Sequence, residues 1–474
     1  MTTLCLASQV KGSIHKQPIP HRIGELKTSL SSTVKPFIQE LEKLPMRVDV
    51  SKTIKSVTLR ILDAFVDSVF QFVDQPVLPS QRNFVPVEEI GHISQIEGIV
   101  GKIPADFPEG VYIRNGANPL WGGLKSTISV FGKSNHVWVE GEGMLHALYF
   151  SKDTNGNWSF AYNNRFVEPK TFKMEKQRNK PSYLPAVEGD SPAILAAFVL
   201  NALRFGDVNK ILSNTSVFEH GGKYYSIAEN YLAQEIDISS LSTLDDWDLG
   251  GAWGRPFTTH PKKAPGSGEL VIMGVDAVKP YYVVGVISAD GKKLIHKADV
   301  KLKRSTLAHE IGITQKYNII LDYPLLVDVY RLFRGGPLLK YEKEKYARIG
   351  VMPRYGDADS IRWFDVESYC TFHILNCFED GDEEGHFEKP IKMEHHKFAK
   401  NNFCTGSAYV SKPGGSEEDD GWIVAYVHDE DTDTSHVIVV DAKNFQGEPI
   451  AKIPLPQRVP YGHHGAYFQT PSQH

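Results

Sequence analysis

The clearest pattern near the start of the chain is a helical repeat of apolar residues between Val50 and Val73. Apolar side chains recur there at steps of three and four residues, and charged residues lie between them. The repeating positions are Ile54, Val57, Ile61, Phe65, Val69 and Phe72. This spacing predicts one amphipathic helix. Such a helix packs on its own domain or rests on a membrane surface, and the pattern alone leaves both open.

A second helix is predicted further along the chain by its end signals. Ser191 has the side chain of an N-cap, Pro192 suits the first turn, and Gly206 follows the last turn. The body, Ala193 to Leu203, is apolar on nearly every side. A helix of this kind is buried in protein or lies against lipid.

Most of the remaining chain has the pattern of short strands, with alternating polarity or runs of β-branched and aromatic residues. Gly221-Gly222 and Asp290-Gly291 lie between such runs, where tight turns need positive φ. The predicted strands include 110–115, 136–140, 158–166, 223–228, 281–288, 318–321, 422–427 and 436–440. This pattern predicts an all-β fold, as a barrel, sandwich or propeller.

Composition and charge narrow the class of protein. The 474 residues include 41% hydrophobic and 23% charged residues, with a net charge of -5, which is typical of a globular domain and argues against nucleic-acid binding. No apolar run reaches the length of a spanning helix. The four cysteines lack the paired spacing of a zinc site and favour a reduced compartment.

The N-terminal residues have a composition of their own. The first 24 residues contain no Asp or Glu, and Lys11, Lys16 and Arg22 supply positive charge among Ser and Thr residues. This composition is typical of a plastid or mitochondrial transit peptide, and also of a disordered N-terminus. We divide the chain into this segment at 1–48, a helical region at 49–82 and a main domain at 83–474.

Four of the 18 histidines lie in apolar, strand-like segments. They are His260, His309, His373 and His464, separated by 49, 64 and 91 residues. A buried neutral imidazole needs partners for both ring nitrogens, and convergence on one metal ion would provide them. The alternative is four unrelated core or turn histidines.

Other catalytic motifs are missing from the sequence. It contains no GxSxG elbow, Walker loop or dinucleotide fingerprint. Asp429, Asp431 and Asp433 begin like a calcium loop, but Thr434 and Val440 stand where Gly and a bidentate carboxylate are needed. We interpret this stretch as a solvated turn.

Six motifs together resemble the carotenoid cleavage dioxygenases of plants. They are GVYIRNGANP (110–119), VEGEGMLHALYF (139–150), THPK, AHEIGIT, FHILNCFE and RVPYGHHGAYF, in order from about Asn83 to Phe468. The resemblance implies a seven-bladed β-propeller with apolar helical insertions and one non-haem ferrous ion. It implies that His260, His309, His373 and His464 are the iron ligands and that Glu229 is a carboxylate partner of a ligand. His463 stands where the family usually has Phe, so His464 is the expected ligand of that pair.

The sequence departs from the family pattern at two of the three expected carboxylates. Gly406, in NNFCTGSAYV, stands at the position of one acid, and the segment that normally carries another is missing. An acidic stretch at 380–388 takes its place between the third and fourth ligands and is a candidate substitute. We therefore expect the propeller to be incomplete there. A spliced or mispredicted product, a degenerate paralogue and a compact variant each account for the loss.

The resemblance implies a function as well as a fold. Four imidazoles suit ferrous iron and leave two coordination positions for oxygen chemistry. We predict oxidative cleavage of a C=C bond in a carotenoid or apocarotenoid by dioxygen, at the 9,10 and 9',10' bonds by default. The alternatives are 11,12 cleavage of a 9-cis-epoxycarotenoid and an inactive propeller that binds carotenoid or a partner. Peripheral membrane contact and a plastid location, with the cytoplasm as alternative, complete the prediction.

Overall fold

The chain folds mainly into antiparallel sheets, with few helices. A computed structural model describes residues 52–229, 231–379 and 393–470, with side chains from Leu59 onward. The helices of this part are α1 (Lys52–Val69), α2 (Lys170–Arg178), α3 (Ser191–Phe205) and α4 (Val329–Phe333). Short 3-10 turns lie at Pro79–Phe84, Ala358–Ser360 and Ala442–Asn444. Among the described residues, every helix is too short or too polar to cross a membrane.

Three four-stranded sheets follow one another in the middle of the chain, and each is built from strands in sequence order. Sheet 1 consists of Ser216–His220, Lys223–Ile227, Ala233–Ile236 and Thr243–Trp247. Sheet 2 consists of Lys262–Lys263, Leu270–Val275, Tyr282–Ile287 and Leu294–Asp299. Sheet 3 consists of Gly312–Ile313, Tyr317–Asp322, Ala347–Pro353 and Arg362–Val366.

Two five-stranded sheets combine strands from both ends of the main domain. Sheet 4 consists of Asn402–Ser411, Gly421–Asp429, Thr434–Asp441, Ala451–Pro454 and Val100–Gly101. Sheet 5 has the order Gly465–Gln469, Gly110–Ala117, Gly143–Lys152, Trp158–Phe166 and Ser94–Ile96. In sheet 5, Gly465 lies opposite Arg114 and Phe468 opposite Val111. The C-terminal strand is thus paired with a strand from more than 300 residues earlier.

Two smaller sheets lie outside this series. One consists of Phe70–Asp74, Lys125–Ser129, Gly132–Asn135 and Glu188–Gly189. The other is a ribbon of Leu325–Val327 and Leu339–Tyr341.

Buried apolar clusters join neighbouring sheets face to face. The contacts run from sheet 4 to 5, 5 to 1, 1 to 2 and 2 to 3. Representative residues that belong to the same buried cluster are Val439 and Tyr112, Ile113 and Val217, Tyr225 and Val283, and Val284 and Ile320. Within the described residues no core cluster joins sheet 3 to sheet 4. The described parts of the connection between them, 367–379 and 393–401, contain no strand.

Helix α1 is amphipathic but differs from its prediction in length and orientation. It ends at Val69, and Phe70–Asp74 is a strand paired with Lys125–Ser129 rather than the last helical turn. The aromatic and β-branched side chains of this stretch fit a half-buried strand better than a helix end. Leu62, Val66 and Val69 pack in the cluster that α1 shares with α3. Ile61 and Phe65, which belong to the predicted stripe, are 65% and 42% exposed.

Helix α3 begins one residue earlier than predicted, ends at the predicted position and is mostly buried in protein. Asp190, one residue before the predicted cap, is the N-cap, and Gly206 ends the helix with a φ of 81°. Ala197 and Leu200 pack against α1, and the amide of Asn201 bonds to the backbone of Leu184. Packing on protein therefore accounts for most of its apolar surface.

All but one of the named strand predictions are confirmed, within a few residues at their ends. The exception is 136–140, which forms a turn after the strand Gly132–Asn135. There the carboxylate of Glu140 accepts a hydrogen bond from the Val137 N–H at 2.6 Å. A side-chain bond of this kind competes with strand pairing for the backbone donor.

Candidate metal centre

Three of the four candidate histidines stand just before the edge strand of a sheet. His260 precedes Lys262–Lys263 of sheet 2, His309 precedes Gly312–Ile313 of sheet 3, and His464 directly precedes Gly465–Gln469 of sheet 5. His373 follows the last strand of sheet 3, and no strand succeeds it in the described part of the connection to sheet 4.

The four imidazoles converge on one point. One ring nitrogen of each lies within 4.8 Å of the others. The Nε2 atoms of His260 and His309 are 2.9 Å apart, and neighbouring ring centroids are separated by 4.5 to 5.1 Å. Two ligands at right angles on a metal, each about 2.1 Å from it, are about 3 Å apart. The spacing therefore fits a single metal ion.

His309 is oriented by Glu229, the one carboxylate partner that the resemblance implies. Nδ1 of His309 contacts the Glu229 carboxylate, which also accepts a bond from Thr259 Oγ1 at 3.3 Å. Burial lowers the pKa of His309, but the hydrogen bond and charge of Glu229 outweigh it and raise the pKa overall. A proton held on Nδ1 leaves the Nε2 lone pair free to bind a metal.

His373 has a carboxylate partner that was not predicted. Oε2 of Glu310 lies 3.0 Å from His373 Nδ1 and accepts a bond from the Ile374 N–H, also at 3.0 Å. The other oxygen contacts the ammonium of Lys262. Burial raises the pKa of Glu310, but the bonds from His373 and Lys262 lower it to about 2. Its place directly after His309 in AHEIGIT indicated that it lies near the centre, but not that it contacts His373.

His260 and His464 are held through their backbones. The N–H of His260 donates to Thr258 Oγ1 at 3.1 Å, and that hydroxyl donates to the His309 carbonyl at 3.1 Å. The N–H of His464 donates to Thr215 O, and its carbonyl accepts from Asn115, both at 3.0 Å. Burial and the neighbouring imidazoles lower the pKa of His260 to about 2 and that of His464 to about 4. Both rings are therefore neutral at pH 7 and can act as ligands.

His463 lies outside the four-histidine group. Its N–H donates to the Asn115 carbonyl at 3.0 Å, so the pair His463-His464 is fixed along the same edge. Burial, followed by the charge of Arg114, lowers the pKa of His463 to about 4.

Gly406, which stands at an expected acid position, faces a buried arginine. Gly406 has a φ of 67°, and a Cβ placed there would lie 2.5 Å from Arg114 Cγ. Arg114 is 1% exposed and donates to Thr405 Oγ1 at 2.8 Å. No carboxylate among the described residues pairs with it.

The candidate acids at 380–388 and the N-terminal segment 1–48 lie outside the described residues.

Comparison with known proteins identifies relatives over most of the chain. The sequence model of the family described as "Retinal pigment epithelial membrane protein" (RPE65) matches residues 84–390 and 388–469. The Carotenoid 9,10(9',10')-cleavage dioxygenase 1 of Pisum sativum is 26% identical, over 92% of this chain and 97% of the relative. The 9-cis-epoxycarotenoid dioxygenase NCED2, chloroplastic, of Oryza sativa subsp. japonica is 25% identical, over 86% and 87%.

Solved structures share the fold. The lignostilbene dioxygenase of Pseudomonas brassicacearum has a TM-score of 0.66 at 18% identity, covering 84% of this chain and all of that one. The cobalt-substituted apocarotenoid oxygenase of Synechocystis has a TM-score of 0.64 at 19% identity, covering 82% of this chain and 98% of that one.

The same comparisons indicate where the chain is short. The two family matches meet at residues 388–390, between the third and fourth histidines. The alignment with the Pisum sativum relative extends over 548 positions against a chain of 474 residues, so it contains stretches that this chain lacks. Family membership nevertheless rests on matches that together span most of the chain. The chain belongs to the RPE65/carotenoid cleavage dioxygenase family.

Proposed function

We propose that the protein is an iron(II)-dependent dioxygenase that cleaves a C=C bond of a carotenoid or apocarotenoid. One observation carries the proposal: four histidine rings from separate segments meet at one point, and carboxylates orient two of them. Four unrelated core histidines have no reason to converge with their ring nitrogens inward.

The donor set fits iron(II). Imidazole nitrogen is a good ligand for this ion, and four of them leave two of six octahedral positions open. Neutral rings at His260 and His464 offer lone pairs without losing a proton. Iron(II), when bound there, would supply the activation of dioxygen that alkene cleavage requires.

The residues around the centre orient ligands and provide an apolar wall. The ring of Phe372 lies 5.5 Å from that of His309 and is 44% exposed, so it can contact an apolar chain next to the metal centre. In the reaction one C=C bond breaks and each carbon takes one oxygen atom of dioxygen, which gives two carbonyl products. The net reaction balances without an added proton or reductant.

Cleavage at the 9,10 and 9',10' bonds is the proposed outcome. It is supported by the names of three relatives, from Pisum sativum, Crocus sativus and Phaseolus vulgaris, at 25% to 26% identity. The second candidate is 11,12 cleavage of a 9-cis-epoxycarotenoid, supported by the two Oryza sativa relatives at 24% to 25%. Specificity among similar double bonds depends on how deep the carotenoid enters the site.

An inactive protein that binds carotenoid is the third candidate, and specific observations favour it. Gly406 replaces an expected acid, and the family matches divide between the third and fourth histidines. We further propose that sheets 1 to 5 are blades of the seven-bladed propeller that the resemblance implies. The same proposal includes peripheral membrane contact through α1. It also includes a plastid location, because the names of the two Oryza sativa relatives contain the word chloroplastic.

The test compares iron content and products in three proteins. We expect wild-type protein, reconstituted anaerobically with ferrous iron, to hold about one iron per chain and to cleave a C40 carotenoid into two carbonyl products. His309→Ala removes a ligand and should lose both iron and cleavage. His395→Ala, an exposed histidine outside the group, is the matched control and should retain both.

Metal analysis and mass spectrometry of the products give the readout. Full iron content in His309→Ala would show that the ligand assignment is wrong. An absence of iron in the reconstituted wild-type protein would contradict the proposed enzymatic function and leave carotenoid binding as the remaining candidate. Products from a C40 carotenoid and a 9-cis-epoxycarotenoid, compared by mass, distinguish 9,10 from 11,12 cleavage.

A further inference from the structure

His373 differs from the other three candidate ligands because no strand holds it. It stands in a connection without strands in its described parts, and Leu375, two residues later, is fully exposed. The side chain of His373 is itself 44% exposed. Neither a sheet nor deep burial fixes this ring, so its orientation depends on side-chain contacts.

A single carboxylate oxygen supplies two of these contacts. Oε2 of Glu310 bonds to His373 Nδ1 and to the backbone N–H of Ile374, each at 3.0 Å. The first contact fixes the tautomer and rotation of the ring, and the second fixes the backbone beside it. Together they hold the His373 segment at two points on one rigid group.

Glu310 is well placed to act as this anchor. Its side chain is 4% exposed, and it directly follows His309, so it is fixed near the metal centre by sheet 3. Lys262, two residues after His260, contacts its other oxygen. One buried carboxylate therefore connects the segments of His260, His309 and His373.

We propose that Glu310 is the positioning residue of His373 and replaces the carboxylate that the missing segment would supply. The inference rests on the proposed metal centre. Carboxylates bonded to the outer nitrogen of a ligating histidine fix its orientation and raise its basicity, and their loss typically reduces metal affinity about 10- to 100-fold. The acidic stretch 380–388 is not needed for this role.

The experiment measures Co²⁺ affinity, which does not depend on turnover. Co²⁺ is titrated into metal-free protein and followed by its visible absorption. We expect Glu310→Gln, which keeps the shape and removes the charge, to bind Co²⁺ about 10- to 100-fold more weakly with a changed spectrum. Glu235→Gln is the control, since Glu235 is likewise an acid paired with a lysine, Lys223 at 2.7 Å, but is 20% exposed and lies in sheet 1.

A double-mutant cycle separates positioning from a general structural effect. If Glu310 acts through His373, Glu310→Gln should change Co²⁺ affinity less than two-fold once His373→Ala has removed the ring. Independent effects would multiply in the double variant. Glu310→Gln leaves Lys262 without its partner and could fail to fold for that reason. In that case the double variant Glu310→Gln with Lys262→Met, which removes both charges, replaces Glu310→Gln in the same cycle.

The outcomes are distinguishable from failure of the proposed function. Wild-type protein that binds no Co²⁺ overturns the metal centre and this inference with it. Wild-type affinity in Glu310→Gln, or effects that multiply with His373→Ala, overturns the inference alone and leaves the metal centre intact.

Discussion

At the residue scale, Arg114 brings an unusual charge close to the candidate centre. Its guanidinium is 5.3 Å from the ring of Tyr426 and bonds to a hydroxyl, yet it has no carboxylate partner among the described residues. Burial lowers the pKa of Arg114 and disfavours its charge. Gly406 leaves no side chain to compensate, so the His463-His464 edge faces a buried cation where the resemblance expects an acid.

A pH-dependent stability is predicted from His436, a buried residue of sheet 4. Burial, with a smaller effect of Lys452, lowers its pKa to about 4, whereas an unfolded histidine titrates near 6.5. Below pH 6.5 the unfolded state therefore binds more protons than the folded state, and stability falls as the pH drops towards 4. We expect His436→Leu to reduce this loss by about 2 kcal/mol between pH 7 and 4.5.

Urea unfolding of metal-free protein at both pH values measures the effect. The comparison uses the difference between pH 7 and 4.5 for each protein, which cancels any constant effect of the substitution. Equal losses in wild-type protein and in His436→Leu would mean that this imidazole titrates normally in the folded state.

The sequence singled out the four histidines that the structure brings together, but only one of their two carboxylate partners. Spacing alone left the four histidines ambiguous, and the motifs around them made the assignment. Glu229 was identified by the same resemblance, but Glu310 was missed because its contact with His373 joins residues 63 positions apart. Such a contact depends on how a loop returns to the sheet, which no local pattern encodes.

At the scale of elements, α1 shows how much a periodic pattern determines. Spacing correctly predicted a helix, because apolar steps of three and four residues have no other regular solution. It did not determine which face is buried, since two apolar stripes lie side by side on this helix. Leu62 and Val66 face α3, and Ile61 and Phe65 face outward.

The exposed stripe of α1 predicts membrane affinity. We expect Ile61→Ser combined with Phe65→Ser to reduce binding to phosphatidylcholine vesicles about 10-fold or more, because each buried apolar side chain contributes about 1.5–3 kcal/mol. Flotation with vesicles measures the bound fraction. Leu244→Ser combined with Ile295→Ser removes two equally exposed residues from the outer strands of sheets 1 and 2 and serves as the control.

The control variant distinguishes a specific effect of α1 on vesicle binding from a general effect of surface hydrophobicity. Loss of binding in both double variants would indicate a general effect of surface hydrophobicity. Unchanged binding in the α1 variant would show that this helix does not contact the lipid.

At the scale of the whole molecule, the order of the sheets was beyond prediction from sequence. Strand patterns identified seven of the eight strands that they predicted, but the number and closure of sheets depend on pairings across the chain. The pairing of Gly465–Gln469 with Gly110–Ala117 is the clearest case, since it places His464 at the end of a strand in a sheet whose first strand begins at Ser94.

Removal of residues 465–474 tests the importance of this pairing. The deletion exposes the edge of Gly110–Ala117 and removes the buried Phe468, so we expect a loss of about 3–5 kcal/mol or more in unfolding free energy. Chemical unfolding measures the loss. Deletion of 471–474 alone is the control and should be close to wild type, and equal stability of both deletions would contradict a stabilising role for the pairing.

The same pairing determines when the four-histidine group can assemble during synthesis of the protein. Synthesis must continue 91 residues beyond His373 before His464 exists, which takes roughly 5–20 s at typical elongation rates. During that interval the strands of sheets 1 to 3 and three of the four histidines have been synthesised, while the Gly110–Ala117 edge is still unpaired. An unpaired strand edge can pair with other chains, and the four-histidine group is complete only after His464 has been synthesised.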